Sequence, residues 1–206
     1  LIAISSCEYF ENNGLNEPLR QTWLPDAVRL GIDYKFFHGQ GSTPKEDVVV
    51  LQVEDRLFGL TEKAKAKAEW AVKNGYDFMF SCFPDTYTCP ERLLKSGFEN
   101  YDYFGNVNQH PGGMPYCQGG PGYVLSNRAC ERIYKHPTSY LNDDCWVGDV
   151  LSGADVLRGD CKDFTNCGPG PMKGNTSITN HLSTQPGHYK ADSVYAEHRQ
   201  WKDSWL

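Results

Sequence analysis

The sequence lacks Cys-x-x-Cys despite its eight cysteines. Without that spacing the usual ligand pattern of a structural zinc site is missing. No apolar run approaches the ~20 residues of a membrane-spanning helix. No signal peptide is recognisable either, because the chain is already strand-like at Leu1-Ile2-Ala3-Ile4. The abrupt start reads as that of a domain within a longer protein, with no membrane contact of its own and no assignable compartment. Basic excess is also missing. Against 26 Asp and Glu stand 20 Lys and Arg, a formal charge of −6. Neutralising a phosphate backbone needs a basic face, so nucleic acid is excluded as a partner. The longest cationic run, Glu62 to Lys67, alternates with alanine and reads as a solvated helix face. No internal repeat is present, which sets aside solenoids and propellers.

What is present suits a packed domain. The 206 residues include five Trp and twelve Tyr, enough to build one sizeable core. Cys7, Cys82 and Cys145 sit beside apolar residues and read as buried thiols acting as small hydrophobes. Cys161 and Cys167 would close a short loop if the compartment is oxidising. The sequon Asn175-Thr176-Ser177 decides nothing by itself.

Strand and helix patterns alternate. Strands are expected at 1–6, 33–38, 48–53, 77–82, 102–107 and 123–126, and helices at 16–23, 60–73, 90–94, 127–134 and 149–157. The 60–73 helix is led by Thr61 and stopped by Asn74-Gly75, with Trp70 and Ala71 on its packing face. This alternation predicts an α/β sandwich around a mostly parallel sheet. Ligands in such sheets bind beyond the carboxyl ends of the strands. The segments following Cys7, His38-Gly39 and Phe83-Pro84-Asp85 should therefore converge. From Gly159 onward Gly, Pro, Asn, Thr and His dominate. We expect a single domain over 1–206, with a core at 1–158 and a loop-rich cover at 159–206.

Three segments carry chemistry. Asp85 follows an apolar strand. It reads either as a ligand for Mg²⁺ or Mn²⁺ alongside phosphate oxygens or as a turn residue before the Pro90 helix. The stretch Tyr116 to Ser126 holds Gly119, Gly120 and Gly122 around Pro121, a loop that admits close approach to backbone, or an ordinary turn. Asp143 and Asp144 precede a Trp-Val-Gly helix start. One acid can serve the helix end while the other projects as a general base, or both can serve the dipole.

In order and spacing these segments resemble the β-1,3-galactosyltransferase and fringe family of nucleotide-sugar glycosyltransferases. The resemblance spans roughly residues 1 to 155. It rests on Arg20-Gln21-Thr22-Trp23, Tyr34 to Gly39, Asp47 to Lys63 ending in Leu60-Thr61-Glu62-Lys63, Trp70, and Asp77 to Leu94. Gly119 to Ser126 and Asp143 to Gly148 complete it. It implies a GT-A-like three-layer fold and inverting transfer from a nucleotide sugar, a UDP-sugar, to a glycan or glycoprotein hydroxyl. Mn²⁺ or Mg²⁺ would hold the diphosphate.

By the same resemblance Asp144 is the base, Asp85 and His181 are the metal ligands, and His188 is a second choice for the imidazole. Ser6, Arg20, Lys63, Phe83, Pro84, Gly120 and Gly122 fall to the nucleotide sugar, and Asp143 and Trp146 to the acceptor side. Arg20 and Lys63 also read as salt bridges that fix helices. Phe83 and Pro84 depart from the family pattern, replacing the first two acids of its metal motif. Two other readings stay open: a non-catalytic nucleotide- or glycan-binding domain of the same descent, and a retaining transferase.

Overall fold

The computed structural model describes residues 1–55, 59–139, 142–153, 155–166, 177–181 and 191–205. The first half of the chain runs β1 (Ile2–Ser5), three short helices α1 (Glu8–Asn12), α2 (Glu17–Gln21) and α3 (Leu24–Arg29), then β2 (Tyr34–His38) and β3 (Val48–Val50). Next come α4 (Leu60–Lys73), β4 (Phe78–Cys82), β5 (Thr86–Thr88) and α5 (Pro90–Leu94). The second half adds β6 (Tyr103–Gly105), the hairpin of β7 (Val107–Gln109) and β8 (Pro115–Cys117), then β9 (Tyr123–Ser126), α6 (Asn127–Lys135) and α7 (Asp143–Val150). It closes with β10 (Arg158–Asp160), β11 (Phe164–Thr165), β12 (Thr179–His181) and α8 (Ala191–Trp205).

A seven-stranded sheet in the order β10-β6-β9-β4-β1-β2-β3 forms the middle layer. Only β9 runs against its neighbours, β4 and β6; the other pairs are parallel. Alternation along each strand feeds two cores, one on each face. Ile2, Ile4 and Phe36 pack with Leu19, Trp23 and Leu24 of the short helices. Ala3 and Phe37 pack on the other face with Ala64, Ala68, Ala129 and Ile133 of α4 and α6. The result is the expected α/β/α sandwich. A smaller sheet, β11-β12-β5, branches off where β4 ends.

Several expectations need correction. The helix foreseen at 149–157 lies earlier, at Asp143–Val150, because Asn142 occupies the N-cap position and the chain turns at Leu151 to Ser152. The 48–53 strand shortens to three residues, since its ladder with β2 ends at Val50 opposite His38. The 102–107 strand splits after Gly105, and Val107 leaves to pair with Cys117. The Glu62–Lys67 run is not a solvated face: Lys63 and Lys67 lie on the buried side of α4 with Ala64, Ala68 and Ala71. Cys82 is buried as expected, but Cys7 and Cys145 are partly exposed. Cys167, Asn175, Thr176 and His188 lie outside the described residues.

The tail is more regular than its composition suggested, because α8 buries Val194, His198 and Trp201. Their i, i+4, i+7 spacing is a helical stripe. Lys202 fastens the helix to the body through Thr22 O (2.7 Å) and Asp26 (3.0 Å). His198 is fully buried edge-on to Tyr87, and neither ring nitrogen has a partner among the described residues. Burial pushes its pKa down to about 3. The unfolded chain therefore takes up a proton near pH ~6.5 that the folded chain refuses until about pH 3. Stability should fall with pH across that window, by up to ~1.4 kcal/mol per unit. His198→Leu should flatten the slope, read as the Tm difference between pH 7 and pH 5. An equal difference in both proteins would refute the assignment.

Candidate active site

The carboxyl ends of β1 and β4 open into a cavity of about 480 Å³, within the usual range for a small-molecule site. Ser5, Ser6 and Cys7 come from the end of β1, and Phe83, Pro84 and Asp85 from the turn after β4. Gly120 comes from the glycine loop, Asp55 from the segment between β3 and α4, Lys63 from the first turn of α4, and His181 from β12. Phe10, Leu15, Leu60 and Val194 supply an apolar wall.

The arrangement follows from local geometry. The turn Phe83-Pro84-Asp85 leads into β5, and β5 pairs antiparallel with β12 so that Thr86 stands opposite His181. That register brings His181 Nε2 within 3.1 Å of Asp85 Oδ2, 96 residues apart in sequence. The other ring nitrogen, Nδ1, is 2.8 Å from Asn166 Oδ1. Asn166 Oδ1 accepts there, so Nδ1 carries a proton; the contact of Nε2 with Asp85 is then bridged either by a second proton donated to the carboxylate or by a cation that takes the Nε2 lone pair. Gly120 leaves room for the imidazole: a Cβ there would sit 2.7 Å from His181 Nδ1. Thr86 Oγ1 donates to Gly120 O at 2.7 Å and ties the loop to β5.

Asp85 and His181 thus present one carboxylate and one imidazole at a single point of the wall. Among the described residues no group of three or more His, Cys, Asp or Glu side chains converges. A pair suits a divalent cation that takes its remaining ligands from phosphate oxygens and water, and falls short of a self-sufficient protein cage. The residues fit the expected Mn²⁺ or Mg²⁺ in that form.

Lys63 is buried, closed by an ion pair with Asp55 and by donation to Ser6 O at 2.6 Å. Ser6 Oγ donates to Asn16 Oδ1 at 2.7 Å. Asp144 stands behind the glycine loop: its Oδ2 accepts from Gly119 N at 3.0 Å and its Oδ1 from Cys145 N at 2.8 Å. It adjoins the cavity across that loop without lining it.

Four expected site residues are placed elsewhere. Arg20 does not line the cavity. Its guanidinium is taken up by Asp47, Glu11 and Glu17 (2.7–3.2 Å) and lies over the Phe36 ring at 4.5 Å. Burial opposes the ionised form of Glu11, yet Lys45, Asn16 and Arg20 hold its pKa down at about 2. The cluster braces α1 and α2 against β2 and β3. Trp146 does not face an acceptor; it is buried, and its indole N–H donates to Pro137 O at 3.2 Å. Asp143 also turns inward, where burial raises its pKa against the opposing charge of Lys67. Gly122 lies beneath the cavity with φ +83°, against the Phe80 ring. His38, expected at the crevice, is buried below it, and Gly39 beside it has no room for a Cβ next to Val53 O.

Sequence reasoning missed Asp55 and the apolar wall. Asp55 follows the valine run of β3, so the rule that singled out Asp85 applies equally there.

No family model matches the chain, and no curated protein does. The resemblance to the β-1,3-galactosyltransferase and fringe family therefore finds no support in these comparisons. Solved structures do match. A glycosyltransferase involved in the glycosylation of the major capsid of PBCV-1 is 11% identical with a TM-score of 0.57, over 96% of this chain and 98% of its own. The galactosyltransferase LgtC, solved with donor and acceptor sugar analogs, is 9% identical with a TM-score of 0.53, over 98% and 94%. Identities so low establish the fold alone: the architecture is that of GT-A-type glycosyltransferases.

Proposed function

We propose that the protein is a glycosyltransferase that moves a sugar from a nucleotide-sugar donor, a UDP-sugar, to a hydroxyl of a glycan or glycoprotein. The observation that carries this reading is the meeting of Asp85 and His181 on the wall of a cavity at the strand ends. Among the described residues the cavity holds two carboxylates, Asp55 and Asp85, and one ammonium, Lys63, already paired. Such a lining repels a diphosphate unless a divalent cation accompanies it. When bound at Asp85 and His181, Mn²⁺ or Mg²⁺ would neutralise the leaving diphosphate. The apolar wall at Phe83, Pro84 and Leu60 suits the flat, weakly polar part of a nucleoside. Phe83 and Pro84 thus take the place of acids with surface that packs instead of coordinating.

Asp144 is the carboxylate for the acceptor side. Gly119 N and Cys145 N each donate to one of its oxygens and fix the orientation of the carboxylate. It would receive the proton of the attacking hydroxyl, giving inversion at the anomeric carbon. The same two hydrogen bonds, and its place outside the lining, favour a second reading. There the carboxylate is a brace for the glycine loop, and transfer proceeds with retention.

Melting temperatures measured with UDP-, GDP- and dTDP-sugars, with and without Mn²⁺, test the donor site, since a ligand of the native state raises Tm. No shift with any donor would sink the proposal. Asp144→Asn should bind the donor as wild type does and lose at least ~100-fold in transfer rate. Full activity removes its role as base, and the anomeric configuration of the product, read by NMR, separates inversion from retention.

A further inference from the structure

Behind the cavity lies a lysine that the proposed chemistry leaves unused. Lys67 is 1% exposed, on the face of α4 that packs against the sheet. An ammonium has three donors and no acceptor. One N–H goes to Ser5 Oγ at the end of β1, and another to Ser81 Oγ in β4 at 2.7 Å. Among the described residues no carboxylate forms an ion pair with it; Asp143 on α7 acts on it only through space. A buried cation held by two neutral hydroxyls is an expensive arrangement, and removing the charge altogether would relieve the cost.

The two serines are not equivalent. Ser81 also meets the Tyr123 hydroxyl and stays within the interior network. Ser5 lines the cavity. A hydroxyl has a single hydrogen. Because Lys67 can only donate, Ser5 Oγ must accept from it, and its own hydrogen must point elsewhere. Among the described residues no acceptor receives that hydrogen.

We propose that Lys67 is a positioning residue that fixes the Ser5 hydroxyl as a one-way hydrogen-bond donor into the cavity, directed at an anionic oxygen of a bound nucleoside diphosphate. The inference rests on the proposed nucleotide site and adds a specific contact to it. It also carries a polarity argument. A neutral amine can accept, so deprotonated Lys67 draws the Ser5 hydrogen towards itself and the cavity loses its donor. Burial pushes the Lys67 pKa down to about 8, with Asp143 opposing. Around it stand Asp143 from α7, Lys63 from α4 and the Cys82 and Cys130 thiols, with the Tyr123 phenol of β9 one step away through Ser81. Burial lifts both thiols to about 12 and the phenol well above its ordinary value. We assign a change between pH 7 and 9 to Lys67, and Ser5→Ala is the control for any other group.

Calorimetric titration of UDP with Mg²⁺ into wild type, Ser5→Ala, Lys67→Met and the double variant, at pH 7 and pH 9, tests this. Each single change should weaken UDP roughly tenfold at pH 7, and the double variant should be no weaker than either. Wild-type affinity should fall between pH 7 and 9, while Ser5→Ala is flat and Ser5→Thr, which keeps the hydroxyl, restores the slope. Unchanged affinity in Ser5→Ala, or additive losses in the double variant, overturns the inference and leaves the nucleotide site standing. No UDP binding to wild type overturns the site and the inference together. If Lys67→Met does not fold, the pH series on wild type and Ser5→Ala decides alone.

Discussion

Asp85→Ala is expected to lose the Mn²⁺-dependent part of UDP binding and at least ~100-fold in transfer, equivalent to ~2.7 kcal/mol. The size follows from the ligand count. In the proposed site Asp85 and His181 are the carboxylate and imidazole that meet on the cavity wall, so removing Asp85 would remove one of the two groups offered to the cation, the anionic one of the pair. Among the described residues the other carboxylate in the lining, Asp55, pairs with Lys63 through Oδ1, and drawing it to a cation would cost that buried ammonium its counter-charge. Titrations of UDP with and without Mn²⁺ should show a large metal effect in wild type and none in the variant. An unchanged metal effect would mean that the cation sits elsewhere.

The largest effect on stability is expected at Gly122. Its φ is +83°, a conformation that L side chains rarely adopt, and a Cβ would lie 2.6 Å from the Phe80 ring and 2.8 Å from Ser81 O. Two penalties coincide: left-handed backbone strain of ~1–2 kcal/mol and overpacking of ~1–3 kcal/mol. Gly122→Ala should cost about 3 kcal/mol, a fall in Tm of roughly 10 °C for a chain of this size. Gly112 is the control, with φ +75° and nothing within 4 Å of its Cβ position; Gly112→Ala should show the backbone strain alone. Equal Tm values for the two variants would refute the packing argument. Phe80 and Ser81 precede the Phe83-Pro84-Asp85 turn on the same strand, so pushing them aside also moves the site.

How much of this was legible in the sequence depended on the range over which the controlling interactions act. The helix over 60–73 was predicted to the residue, since its alanine-rich body and the Asn74-Gly75 stop are local signals. The strand 77–82 and the turn after it were equally plain. The sidedness of α4 was read wrongly. Lys63 and Lys67 are charged and resemble a wet face, yet their spacing with Ala64, Ala68 and Ala71 marks the buried stripe. The charges are tolerated because strand-end oxygens receive them, and those oxygens come from residues about sixty positions earlier or fourteen later in the chain. Arg20 failed as a site residue for a related reason. Its neighbours in sequence suggested a motif, while Asp47, 27 residues on, had already claimed the guanidinium. Trp146 was assigned to the acceptor side by resemblance, but helix periodicity places it with Val147 and Val150 in the core. The tail was judged by average composition, which hid the stripe of Val194, His198 and Trp201.

The pairing of β5 with β12 bears on the order of assembly. All seven strands of the large sheet lie between Ile2 and Asp160, and their partners are complete before Thr179 is reached. The imidazole arrives after them, on a three-residue strand whose register against β5 must be right to one position. The large sheet can therefore be complete while the crevice holds Asp85 without its imidazole, and α8, which brings Val194 to the apolar wall, follows later still. A β12 out of register by one residue would keep the scaffold and lose the meeting of Asp85 with His181.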